Sequence, residues 1–181
     1  MKKNNIRVVL FDLDGTLVDA GGCGKRALNR AVEKLYKTKN VCSTFSLEGR
    51  TDLENLTLAY KSATGRKLSA AERAKLTKQY LEFLPQEVER SLSEKRYCHI
   101  PGIENFLETL SKRPGVIIGL GTGNLKKGAE LKLKPSRLSK FFKFGGFGCD
   151  GYERVKVLQK AVERAAEFCK TEIPPGRVYI I

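Results

Sequence analysis

The segment Val8-Val9-Leu10-Phe11-Asp12-Leu13-Asp14-Gly15-Thr16-Leu17-Val18-Asp19 decides the fold. Its apolar run, Val8 to Phe11, has the character of a strand buried on both faces. The run stops at two carboxylates one residue apart, followed by a glycine able to turn the chain. In open parallel sheets ligands bind beyond the carboxyl ends of the strands, so this strand end is a place for chemistry. Alternation along an extended segment sends residues 12 and 14 to one side and Leu13 to the other. Asp12 and Asp14 are therefore expected together at the mouth of a crevice. Two like charges this close are costly unless a proton or a cation sits between them, which points to a metal.

The pattern resembles the first motif, Asp-x-Asp-Gly-Thr after an apolar strand, of the haloacid dehalogenase superfamily, whose commonest members are magnesium-dependent phosphatases. The rest of the chain is similar to that family in its order of elements. Val116-Ile117-Ile118-Gly119-Leu120-Gly121 reads as a second buried strand ending in Thr122-Gly123-Asn124. The family's second motif is a Thr or Ser at this strand end, which implies that the Thr122 hydroxyl and the amides around Gly123 and Asn124 bind a phosphoryl oxygen. Phe144 to Phe147 reads as a short strand, and Asp150-Gly151 turns into a helix carrying Val155, Leu158, Val162, Ala165 and Cys169. The third motif is a Lys or Arg near the start of that helix; Arg154 fits the pattern, with Lys156 as the runner-up.

Between the first two core strands the reading is helical. Ala27, Leu28, Ala31, Val32 and Leu35 recur at helical spacing over 25–37. Thr51 or Asp52 can cap a helix carrying Leu53, Leu56 and Tyr60, and Ser69-Ala70-Ala71-Glu72 is a capping box for another. Pro85 is expected to kink or restart that second helix. Pro101 to Lys112 reads as a helix with proline at its first position, and Leu125 to Lys134 as one broken by Pro135. The resemblance implies an α/β fold: a Rossmann-like three-layer core with a parallel sheet, formed by 1–20 and 97–181, and an all-helical cap over 21–96 inserted after the first strand. This is the arrangement of the phosphoglycolate phosphatase branch. Such a cap closes over substrate and excludes bulk water. Gly49-Arg50-Thr51-Asp52 opens one of its helices, where Arg50 and free backbone donors can meet an anionic group.

Other motifs fail on inspection. Gly21-Gly22-Cys23-Gly24-Lys25 suggests a phosphate loop, but position 19 is Asp and position 26 is Arg. In Gly119-Leu120-Gly121-Thr122-Gly123-Asn124, Asn124 stands where a dinucleotide fingerprint needs glycine. The five cysteines, 23, 42, 98, 149 and 169, are odd in number and never form a Cys-x-x-Cys pair, against both a disulfide framework and a zinc site. His99, the single histidine, has no Cys or His nearby and reads as ordinary packing. The apolar run after the basic residues of 1–7 is too short for a secretory signal, and no stretch approaches the roughly 20 apolar residues needed to cross a bilayer. A cytoplasmic location and no membrane partner are expected.

The formal net charge of +14, from 34 basic and 20 acidic residues, suits anionic substrates or a nucleic acid. Basic and acidic residues are interspersed and aromatics are not interleaved with them, so a solvated basic surface is the better reading and nucleic acid the weaker one. The resemblance implies hydrolysis of a small phosphorylated metabolite through an aspartyl-phosphate. Asp12 is then the nucleophile, Asp14 the acid and base, Thr122 and Arg154 the groups that balance phosphoryl charge, and Mg2+ the cofactor, held by Asp12 and Asp14. Arg177-Val178-Tyr179-Ile180-Ile181 begins another buried strand. The family's fourth motif, Gly-Asp and a further Asp, would follow it and is not within the 181 residues, so a carboxyl-terminally incomplete core or a weak metal site is expected. The alternatives are a sugar phosphomutase of the same superfamily and a truncated, non-catalytic module that binds polyanions.

Overall fold

The computed structural model describes residues 6–181; residues 1–5, which include Lys2 and Lys3 of the basic amino terminus, lie outside it. The central strand β1 (Arg7–Phe11) pairs in parallel with β4 (Val116–Gly121) on one side and β6 (Val178–Ile180) on the other, and β5 (Gly145–Gly146) extends the sheet beyond β4. The order is β5-β4-β1-β6, all parallel. The period-2 alternation of β1 divides its residues between two layers. Val8 and Leu10 pack with Ala161 and Ala165 of α6 (Arg154–Cys169), while Val9 and Phe11 join the larger core on the opposite face with Leu107 of α4 (Ile103–Ser111) and Ala129 and Leu133 of α5 (Lys126–Leu133). Helices thus cover both faces of the sheet, the three-layer α/β architecture expected. The fit of α6 depends on Gly146: a Cβ there would come within 2.0 Å of the Val157 carbonyl oxygen.

A second, two-stranded antiparallel sheet pairs β2 (Val18–Asp19) with β3 (Cys98–His99), and every α-helix between those strands belongs to one insert. It comprises α1 (Cys23–Tyr36), α2 (Asp52–Thr64) and α3 (Ala70–Ser93). Thr51, not Asp52, is the N-cap of α2: its hydroxyl accepts from the Glu54 amide and the Glu54 carboxylate accepts from the Thr51 amide, a reciprocal box. At α3 only one half of the expected box forms, with the Ser69 hydroxyl accepting from the Glu72 amide.

Two expectations are corrected. The helix runs unbroken through Pro85 to Ser93. Proline there removes one backbone hydrogen bond, at a cost of about 3 kcal/mol in an isolated helix, but packing against α1 on both sides of the proline keeps the helix from restarting. Leu84 and Val88 are buried in the shared core, and the carboxylate of Glu87 is gripped at 2.7 Å by both Arg26 and Arg30 of α1. The second correction concerns Pro101, which precedes α4 rather than opening it. Gly102, at φ 79°, is the N-cap, so Pro101-Gly102 forms a turn and the helix starts at Ile103.

Candidate active site

Asp12 and Asp14 lie where β1 leaves the sheet, and Gly15, at φ 79°, starts the turn that follows, its amide donating to the Val18 carbonyl at 2.9 Å. Leu13 between them is fully buried. Both aspartates line one cavity of about 450 Å³, whose walls include Gly24, Lys25, Phe45, Arg50, Asp52 and Asn55 from the helical insert and Gly123, Asn124, Lys132 and Arg154 from the sheet side.

Each carboxylate has its own cation. Asp12 Oδ2 accepts from the Arg154 guanidinium at 2.8 Å, and its Oδ1 accepts from the Leu13 amide at 2.8 Å. Arg154 is the first residue of α6 and brings its charge to the end of β1 across a sequence separation of 142 residues. Asp14 Oδ2 accepts from Lys132 Nζ at 2.6 Å and from Asn124 Nδ2 at 2.9 Å. Lys132 Nζ also donates to Asn124 Oδ1 at 2.7 Å, closing a triangle. Burial alone would lower the Lys132 pKa, but the Asp14 and Asp52 carboxylates more than offset it, and the ammonium is held charged, its pKa above the usual lysine value.

Thr122 is buried beneath this triangle, accepting from the Asn124 amide at 3.2 Å and from its side chain at 2.9 Å, and it is not among the residues that line the cavity. Gly123 does line it, and the reason for glycine is steric: a Cβ would sit 2.4 Å from the Arg50 carbonyl oxygen. Asn124 is at the cavity with both ends of its amide spent on Asp14, Thr122 and Lys132. Arg50 stands on the insert wall, its guanidinium donating to the Ser46 carbonyl at 2.5 Å. Lys156 is exposed and does not line the cavity.

Two residues passed over in the sequence prove central to the geometry. Lys132 sits among five other lysines between 126 and 143 on a segment whose pattern reads as surface helix, and no local signal separates it from them. Asp52 reads as a candidate cap, yet because Thr51 takes that role its carboxylate is free to accept from the Leu125 amide at 2.8 Å, while its own amide donates to the Gly123 carbonyl at 2.7 Å. With the Thr51 hydroxyl donating to the Tyr152 carbonyl at 2.7 Å, the first turn of α2 is stitched to the strand-end loops around the cavity. Burial pushes the Asp52 carboxyl up to about 6, against the pull of Lys132 and the Leu125 amide and with a further push from Asp14.

The donors present are hard oxygens. No group of three or more His, Cys, Asp and Glu among the described residues could hold a metal ion, and the Asp12 and Asp14 carboxylates at the cavity make a partial set. Such a set fits magnesium, which keeps several waters and takes few protein ligands, and it fits neither zinc nor a soft metal. No helix among the described residues is long and apolar enough to cross a membrane.

Comparison with known proteins follows the same line. A family model described as haloacid dehalogenase-like hydrolase matches residues 6–181. No curated protein matches the chain significantly. Among solved structures, a predicted phosphatase from Clostridium acetobutylicum superposes with a TM-score of 0.68 at 17% identity, covering 97% of this chain and 74% of that one. CbbY from Rhodobacter sphaeroides in complex with phosphate gives 0.66 at 18% identity, over 97% and 76% of the two chains. A mutant of CbbY in complex with xylulose-(1,5)-bisphosphate gives 0.66 at 17% identity over the same shares. At these identities the likeness establishes the fold.

Proposed function

The chain belongs to the haloacid dehalogenase-like hydrolases, and from that premise we propose that it is a magnesium-dependent phosphatase acting in the cytoplasm on a small phosphomonoester. The observation that carries this reading is the pairing at the end of β1: two carboxylates on one cavity floor, Asp12 beside Arg154 and Asp14 beside Lys132 and Asn124. An anionic ester approaching bare carboxylates would be repelled. Here each negative charge is already compensated by a fixed donor, so a phosphoryl group can come within bonding distance of Asp12. Phosphate and a sugar bisphosphate bound to CbbY, a protein of the same fold, support the substrate class.

In the proposed reaction an Asp12 carboxylate oxygen attacks phosphorus in line with the ester oxygen. The P–O ester bond breaks, Asp14 gives its proton to the leaving oxygen, and an alcohol departs from an aspartyl-phosphate. Water then attacks the same phosphorus, Asp14 takes its proton, the acyl phosphate P–O bond breaks, and inorganic phosphate leaves Asp12 as a carboxylate. Arg154 bridges Asp12 and the equatorial phosphoryl oxygens. Thr122 supports Asn124 from beneath, accepting from its backbone amide and its side chain, and the Gly123 region supplies backbone groups to the phosphoryl pocket. The Asp12 carboxylate and the Asp14 backbone carbonyl would hold magnesium, which when bound neutralises phosphoryl charge.

The helical insert, residues 21–96, acts as a cap over a core formed by 1–20 and 97–181, and Arg50 on its wall meets the leaving group or an outer anionic group. A cavity of about 450 Å³ restricts the substrate to metabolite size. The test is direct: the chain should hydrolyse p-nitrophenyl phosphate in the presence of magnesium, lose the activity with a chelator, and form an acid-stable, hydroxylamine-labile phosphoenzyme. No turnover and no phosphoenzyme would overturn the reading.

A further inference from the structure

Only two charged residues are buried among those described, Glu87 and Lys132. Glu87 is matched within the helical insert by Arg26 and Arg30. Lys132 has no part in the chemistry assigned above, yet its ammonium is within 2.7 Å of two side chains at the cavity floor. The contacts are asymmetric. Lys132 Nζ and Asn124 Nδ2 both donate to the same oxygen of Asp14, Oδ2, at 2.6 and 2.9 Å. No hydrogen bond from the described residues reaches Asp14 Oδ1, and the Asp14 side chain keeps 44% of its surface exposed at the cavity.

The carboxylate is therefore gripped by one oxygen and presents the other. Lys132 and Asn124 are also bonded to each other, so neither can swing without disturbing the second. The grip is anchored on α5, whose Lys132 carbonyl accepts from the Tyr97 hydroxyl at 2.7 Å. Resting on the phosphatase reading, we infer that Lys132 is a positioning residue for Asp14, which together with Asn124 pins Oδ2 so that Oδ1 is the oxygen that gives the proton to the leaving group and recovers it from water. Proton transfer needs the donor within hydrogen-bond reach of the leaving oxygen, and a side chain free to rotate about two torsions spends much of its time elsewhere.

The experiment uses the full chain, with Lys132→Met as the principal variant and Asn124→Ala as the second. Methionine fills a similar volume and removes the ammonium. The probes are p-nitrophenyl, phenyl and benzyl phosphate, which share a ring and differ in leaving-group pKa. The readout is kcat/KM, which covers transfer to Asp12, with circular dichroism as the check on folding. A mispositioned acid matters little when the leaving group is stable as an anion and much when it is not. Lys132→Met should lower kcat/KM for benzyl phosphate about 100-fold and for p-nitrophenyl phosphate less than about 10-fold. Asn124→Ala should steepen the dependence in the same direction, and it decides the question if Lys132→Met does not fold. Equal losses on all three esters in a folded variant, or no loss, would overturn the inference while leaving the phosphatase reading intact. A wild-type chain inactive on every ester with magnesium would overturn the phosphatase reading first and this inference with it.

Discussion

The two buried charges of this molecule are wired in opposite senses. In the helical insert the acid is hidden and the bases reach water: the Glu87 side chain is 3% exposed, against 21% for Arg26 and 41% for Arg30. At the cavity the base is hidden and the acid reaches out, with Lys132 at 7% and Asp14 at 44%. Burial of the acid between two guanidinium groups, with the Arg26 guanidinium also donating to the Ser91 hydroxyl at 2.6 Å, makes a joint that ties α1 to α3. Burial of the base behind an exposed acid makes a mount that displays a carboxylate to the cavity. The same pairing of charges serves structure in one place and display in the other, and the discriminating quantity is which partner keeps its surface. The pKa directions agree: Glu87 is held below the usual carboxylate range, where two arginines overcome its burial, and Lys132 is held above the usual lysine value.

If that distinction is sound, substitutions in the two regions should separate chemistry from folding. The largest effect belongs to the displayed side. Asp12→Asn keeps the shape and the Leu13 contact but removes the proposed nucleophile, and turnover of p-nitrophenyl phosphate should fall by at least ~10⁴-fold with an unchanged far-ultraviolet spectrum. Substantial residual turnover, or loss of the fold, would erase the contrast. On the hidden side, Glu87→Ala leaves Arg26 and Arg30 without their carboxylate between two helices, and a stability loss of about 3 kcal/mol is expected in urea unfolding, with kcat per folded molecule unchanged. A variant as stable as the wild type would show that the apolar contacts of Leu84 and Val88 suffice to keep α3 continuous through Pro85.

Asp14→Ala should sharpen the contrast through its selectivity. With the acid gone, kcat/KM for benzyl phosphate should drop about 100-fold more than for p-nitrophenyl phosphate. A uniform drop across leaving groups would make Asp14 an electrostatic neighbour of Asp12 and nothing more.

What could be read from the chain alone follows the same division. The strand-and-turn signal of 8–19 is local: four apolar residues, two acids and a glycine specify an element and its end without reference to anything distant, and the structure has that strand, with Leu13 buried and both aspartates on one cavity. Val116–Gly121 is legible for the same reason. Lys132 is not, because what distinguishes it from Lys126 or Lys127 is its contact with Asp14, 118 residues earlier in the chain. Pro85 misleads because proline's cost is a local rule and the compensation, Arg26 and Arg30 on Glu87, lies about 60 residues away. Asp52 is ambiguous between capping and facing the core until Thr51 is seen to take the cap. Local backbone grammar is readable, and the resemblance adds Arg154; the pairing of Lys132 with Asp14 and of Glu87 with Arg26 and Arg30 is not readable.

Asp52 gives the finest test, since it belongs to neither arrangement. It sits on the helical insert, accepts from a sheet-side amide, and is burdened by burial more than it is relieved by Lys132, so that its carboxyl stands at about 6 against an ordinary 3.8. The folded protein therefore binds this proton more tightly than the unfolded chain does. The contribution of Asp52 is fully favourable below about pH 4 and is lost as the pH rises through about 6. Asparagine copies the neutral form and can still accept from the Leu125 amide. The difference in unfolding free energy between Asp52→Asn and wild type should be near zero at pH 4.5 and should favour the variant by ~1 kcal/mol at pH 8, the full conversion of the shift being discounted for water at the cavity. Urea titrations at the two pH values measure it. A difference of the opposite sign, with the variant weaker at pH 8, would mean that attraction to Lys132 outweighs burial. The ammonium would then be shared between Asp14 and Asp52 and would tie the insert to the cavity floor.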